Sequence, residues 1–79
     1  MNLKRLEYFC QLAAIGNFTR AALKIGIAQP ALTIAIQKLE QEVGLKLINR
    51  AEKNALLTAE GEVLNKRAIQ LLSQVKQVK

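Results

Sequence analysis

Apolar residues recur at intervals of three and four through most of the chain, and the interruptions divide it into segments. Leu3, Leu6, Phe9, Cys10 and Ala13 form a stripe at helical spacing, which predicts a first helix over residues 3–15. Gly16 stops it, and Asn17 is suited to cap a short second helix from Phe18 to Ile25 that ends at Gly26. A third helix lies between Ala28 and Gly44, with Leu32, Ile36, Leu39 and Val43 on one face. Pro30 fits its first turn, where a missing N–H costs nothing, but Ala28 brings no side-chain acceptor to cap it. After Gly44 the period shortens. Leu45 to Arg50 alternates, Ala55 to Thr58 is able to pair with it, and Ala51, Glu52, Lys53 and Asn54 read as the turn of a small hairpin. Thr58 then caps a last helix that carries Glu60 and Glu62 in its first turn, where negative charge is favoured. Run to the end of the chain, that helix is about 30 Å long.

The third helix has a second face that needs explaining. Opposite the apolar stripe stand Gln29, Thr33, Ile34, Gln37 and Lys38. A face that only meets solvent would be richer in Lys and Glu. The two helices before Gly44 also meet the steric requirements of a helix-turn-helix. Ala21 and Ala22 are small where the helices cross, Gly26 serves the turn, and Ile25, Ile27, Leu32 and Ile36 lock the angle. An ordinary helical hairpin in a small bundle would use the same alanines and glycine.

Charge sharpens this picture. The chain of 79 residues carries a net charge of +6, which points to a polyanionic partner, most often nucleic acid. One cysteine and no histidine exclude an internal disulfide, a zinc site and any Cys/His or Ser/His catalytic pair, so neither a metal, a cofactor nor an enzyme is expected. Cys10 reads as a small buried hydrophobe. Without disulfides a cytoplasmic setting is expected. No apolar run approaches the roughly 20 residues needed to cross a bilayer, and Glu7 interrupts any secretory h-region.

The residues Leu6, Phe9, "NFTRAA" (17–22), "AQPAL" (28–32), Ile36, "KLE" (38–40), Gly44, Leu47, Arg50, "LT" (57–58) and Gly61 together resemble the N-terminal DNA-binding domain of LysR-type transcriptional regulators. The resemblance spans essentially the whole chain and needs no gap from Leu3 to Gly61. It implies a mainly α fold: a winged helix-turn-helix of three helices plus a β-hairpin wing over residues 1–58, followed by a long linker helix over 59–79. It also implies a fragment, because the family continues into an effector-binding domain that nothing here resembles.

In that family the third helix enters the major groove of double-stranded DNA. A groove-facing helix needs short polar side chains and no acids. Gln29, Thr33 and Gln37 lie on one line and can hydrogen-bond base edges, while Pro30 and Ile34 can touch thymine methyls. For Ile34 the alternative is inward packing beside Ile27 and the first helix. Thr19, Arg20, Lys38, Arg50 and Lys53 are candidates for phosphate contacts, which position the domain without reading sequence. Lys24, Lys66 and Lys76 read as solvated charges. The chain departs from the family pattern at Thr33, Ile34 and Ala35, where Ser, Arg and Gln are frequent, at Ile48, where Phe is usual, and in a wing whose cations beyond Arg50 reduce to Lys53.

Along the last helix Leu64, Ala68, Leu71, Val75 and Val78 step by four and three, a coiled-coil-like seam that Ile69 and Leu72 widen toward the domain. A lone helix of this length is marginal in water, so the stripe must pack on something. The expectation is a homodimer through residues 64–78, Leu72 included, with a higher oligomer open to a longer chain. The resemblance implies antiparallel pairing of these helices, and a dimer would present two recognition helices to a roughly palindromic operator. The principal alternative is a protein-interaction module on the same winged fold, which would require an aliphatic or aromatic cluster where only Ile34 stands. A membrane-surface helix at 59–79 would need aromatics it lacks.

Overall fold

The computed structural model describes residues 2–51 and 54–77. Four helices and one hairpin follow in the order α1 (Leu3–Ile15), α2 (Phe18–Ile25), α3 (Gln29–Val43), β1 (Ile48–Ala51), β2 (Asn54–Leu57) and α4 (Ala59–Gln77). The helix starts are built from side-chain caps. Asn2 Oδ1 accepts from the Lys4 and Arg5 N–H groups at 2.9 and 3.3 Å, and Asn17 Oδ1 accepts from Arg20 N at 2.9 Å. Thr58 Oγ1 accepts from Gly61 N at 2.9 Å at the head of α4. Ala28 caps α3 with no side-chain bond, and Pro30 occupies the first turn. Between α2 and α3, Gly26 sits at φ 89°, in the left-handed region that a tight helix-turn-helix corner requires.

α1 is the centre of the molecule, packed by α2, α3 and α4. This explains a difference from the predicted stripe. Leu6, Phe9 and Leu12 are the buried residues of α1, while Leu3 is 43% exposed. A helix covered on three sides buries a wider arc than one amphipathic stripe, and Leu12 falls inside it. Cys10, expected to be buried, is only half-buried. Burial and the nearby Glu7 push its thiol pKa up. The core comprises Leu6, Phe9, Leu12, Phe18, Ala21, Ala22, Leu32, Ile36, Leu39, Leu47, Ile48, Ala55 and Ala68. Full burial of each large member contributes about 1.5–3 kcal/mol.

β1 and β2 pair antiparallel, with Ile48 opposite Leu57 and Ala51 opposite Asn54. The ladder therefore starts later than the alternation from Leu45 suggested, and Ala51 and Asn54 belong to the strands rather than to the turn. Leu45 and Lys46 lead in from α3, and Thr58 takes over beyond the ladder: its N–H donates to Leu47 O at 3.0 Å and its hydroxyl to Lys46 O at 2.6 Å. The wing is tied to the helices at a third point, where Ala55 N donates to Gly16 O at 3.0 Å.

α4 returns along α1 and β2. Its stripe divides. Ala68 is 2% exposed within the core and Leu64 packs against that core, whereas Leu71 and Val75 are 43% and 46% exposed. Ala68, expected in the dimer seam, is thus occupied by its own domain, because a methyl that small lets α4 approach α1 closely and leaves no surface for a second copy. Val78 lies outside the described residues.

Candidate nucleic-acid interface

The buried stripe of α3 comprises Leu32, Ile36 and Leu39. Their burial orients the helix about its axis, and its other side faces outward. Pro30, Ile34, Gln37 and Lys38 are exposed, and Gln29 and Thr33 are half-buried. Ile34 is 50% exposed, so inward packing beside Ile27 is not its role. Gln29 and Thr33 meet directly: Gln29 Nε2 donates to Thr33 Oγ1 at 3.1 Å. One amide proton of Gln29 is thereby committed, its carbonyl end is held in a defined direction, and the pair acts as one polar unit beside Ile34.

Two acids belong to the last turns of α3, and both are engaged away from its N-terminal half. Glu42 Oε1 pairs with Arg5 Nη1 of α1 at 2.6 Å. Glu40 Oε2 accepts from the backbone N–H groups of Leu47 and Ile48 at 2.8 and 3.2 Å. The exposed surface of α3 from Gln29 to Lys38 is consequently free of negative charge.

The cationic candidates gather where α2 meets the wing. Thr19 and Arg20 are exposed in the first turn of α2. Phe18, beside them, is buried at 3% exposure, and the Arg50 guanidinium lies over its ring at 4.5 Å from the centroid. A backbone bridge between Asn17 and Asn54 fastens the two segments together. Arg50 is thereby brought to the turn of α2 that carries Thr19 and Arg20, with its guanidinium steadied by the ring. Lys38 stands apart, one turn beyond Ile34 on α3, and Lys53 lies outside the described residues.

Three residues that matter to this arrangement were not read from the sequence as site residues. Glu40 had a signal: an acid in the last turn of a helix opposes the macrodipole and calls for a donor elsewhere. Gly61 had none beyond its place in the family pattern. It is buried, and a β-carbon there would collide with the backbone of Leu47. Phe18 was assigned to the start of α2, but its partnership with Arg50 joins residues 32 apart in the chain and carries no local pattern.

Residues 3–62 match the sequence profile of the family described as bacterial regulatory helix-turn-helix protein, lysR family. Among curated relatives, the chain is 44% identical over 78 residues to a probable cat1 operon transcriptional activator of Acinetobacter lwoffii, covering 99% of this chain and 26% of that protein. It is 42% identical over 78 residues to the HTH-type transcriptional regulator BenM of Acinetobacter baylyi, with the same coverage of 99% and 26%. The chain thus spans about a quarter of the length of these relatives. Among solved structures, the BenM DNA-binding domain in complex with catB site 1 DNA superposes with a TM-score of 0.92 at 43% identity, covering 98% of this chain and 86% of that one. The CbnR DNA-binding domain in complex with DNA superposes with a TM-score of 0.94 at 31% identity, covering 98% and 88%.

Proposed function

We infer the function from one premise: the chain belongs to the lysR family of bacterial regulatory helix-turn-helix proteins. It is the DNA-binding part of a transcriptional regulator, and it acts by recognition rather than by catalysis, in the cytoplasm. α3 enters the major groove of double-stranded DNA. Gln29, Pro30, Thr33, Ile34 and Gln37 face base edges, and Thr19, Arg20, Lys38, Arg50 and Lys53 hold phosphates. Two chains pair through Leu71 and Val75, which are exposed on α4, together with half-buried Leu72 and with Val78, and so address a roughly palindromic site.

The observation that carries this reading is the exposed, acid-free face of α3 from Gln29 to Lys38, flanked by the Thr19, Arg20 and Arg50 cluster. Short polar groups and one aliphatic side chain suit a groove that displays donors, acceptors and thymine methyls. The protein-interaction alternative lacks support, because Ile34 is the one large exposed hydrophobic residue on α3. The similar BenM and CbnR domains were solved in complex with DNA, which supports DNA as the partner.

The test is selection of bound duplexes from a random DNA pool by this 79-residue chain. Enrichment of a two-fold symmetric motif is expected. Retention of duplexes without enrichment of any sequence would reduce the protein to a non-specific DNA binder, and no retention at all would remove DNA as the partner.

A further inference from the structure

Glu40 is out of place by two criteria. It puts a negative charge at the negative end of the α3 dipole. It also puts that charge on the helix proposed to approach a polyanion. Such a residue must do something that offsets both costs. Its Oε2 atom accepts from Leu47 N at 2.8 Å and Ile48 N at 3.2 Å, the two amides at the entrance to the wing. Bonds from amides to an ionised carboxylate are roughly twice as strong as neutral ones.

The same short segment is held from its other side. Thr58 Oγ1 donates to Lys46 O at 2.6 Å, Thr58 N donates to Leu47 O at 3.0 Å, and buried Gly61 admits the Leu47 backbone against α4. Leu47 and Ile48 are themselves buried, at 0% and 4% exposure. They form a fixed post. Two residues along β1 stands Arg50, on the same strand face as Ile48 because strand side chains alternate. That face turns toward the helices, which agrees with the position of Arg50 over Phe18. The carboxylate of Glu40 is therefore a direct polar link between the helix that meets bases and the strand that carries Arg50.

We propose that Glu40 is a positioning residue for DNA binding: by gripping the Leu47 and Ile48 amides it fixes the span between the recognition face of α3 and Arg50, so that both reach one duplex together. The proposal rests on the DNA-binding reading above. It assigns Glu40 no contact with DNA and no part in base choice.

The experiment measures affinity for an unrelated-sequence duplex by fluorescence anisotropy across a salt series, for the wild type, Arg50→Ala, Glu40→Ala, Glu40→Gln and the Glu40→Ala/Arg50→Ala pair. One phosphate contact contributes about 0.9 to the slope of log affinity against log salt, hence about eightfold in affinity at about 0.1 M salt. Glu40→Ala is expected to lose that slope and that eightfold although it removes an acid, a change that by charge alone would strengthen binding. The paired variant should be weaker than Arg50→Ala by less than about twofold, because both substitutions remove the same contact. Glu40→Gln should keep the wild-type slope, since its amide oxygen accepts the same two N–H groups. Full slope in a folded Glu40→Ala variant, additive losses in the pair, or equal losses in Glu40→Gln and Glu40→Ala would each overturn the proposal. If Glu40→Ala does not fold by circular dichroism, Glu40→Asp takes its place: it keeps the charge but falls one methylene short, and a folded Glu40→Asp with wild-type slope overturns the proposal equally. Failure of the DNA-binding reading looks different, because then the wild type itself binds no duplex.

Discussion

The Arg50 guanidinium lies over the ring of Phe18, 4.5 Å from its centre. One residue belongs to the wing and the other to the first turn of α2, so the contact joins the two parts of the helix-turn-helix surface that carry the exposed cations. A cation over an aromatic face contributes about 0.5–1 kcal/mol at a site of this exposure. The larger consequence is geometric. A long, rotamer-rich side chain is held near one position, and it loses less entropy when it meets a phosphate.

Arg50→Ala should therefore weaken binding to the selected operator and to unrelated DNA alike, since a phosphate contact carries no sequence information. The slope of log affinity against log salt should flatten by about 0.9. Arg50→Lys should keep the slope, because the charge remains. A loss confined to the operator would make Arg50 a base reader.

At Ile34 the expectation is a change of preference rather than of strength. The side chain is 50% exposed and has no hydrogen bond to give, so its favourable use in a groove is apolar contact with a thymine methyl. Replacing thymine by uracil removes only that methyl. At one position of the half-site this replacement should weaken the wild type and leave Ile34→Ala unaffected, by an amount near the low end of the roughly 1–3 kcal/mol of a good base contact. Thermal unfolding of Ile34→Ala should stay near the wild type. If no thymine-to-uracil change affects the wild type more than the variant, the methyl contact does not exist.

Leu71 and Val75, at 43% and 46% exposure, are seam residues of α4 that its own domain leaves uncovered, as it does Ile69, expected to widen the stripe toward the domain but 55% exposed. Substituting both by Lys should convert a dimer to a monomer in sedimentation at high protein concentration, while the helical signal persists. A wild type that already sediments as a monomer would count against α4 as the assembly element.

Gly61→Ala separates propensity from packing. In an exposed helix the change would stabilise by about 1 kcal/mol. Here the new methyl would meet the carbonyl of Leu47, a backbone atom pinned by Thr58, so α4 must move away. Overpacking of this kind costs about 1–3 kcal/mol. Net destabilisation is expected, with the midpoint of thermal unfolding falling by several degrees, about 4–8 °C per kcal/mol for a domain of this size. An unchanged or higher midpoint would mean that α4 does not sit where the Leu47 contact requires.

Much of the molecule was determined by local order alone. Apolar residues three and four apart fixed which segments became helices. Asn17 and Thr58 marked where helices begin and Gly16, Gly26 and Gly44 where they end, because caps and stops act through backbone groups only a few residues away. The polar line of Gln29, Thr33 and Gln37 was legible for the same reason: it is the complement of the apolar stripe on one helix.

What the tertiary structure decided is everything that depends on pairs distant along the chain. Leu12 was buried by the convergence of three helices on α1, and Ala68, already on a stripe, was covered by its own domain rather than by a second copy. Arg50 met Phe18, Glu42 met Arg5, and Glu40 reached the Leu47 and Ile48 amides around the end of α3. Charge, polarity and size at these positions are compatible with many neighbours. The neighbour is chosen only when close packing of the helices fills the core and so fixes which distant side chains and backbone groups come within reach of one another.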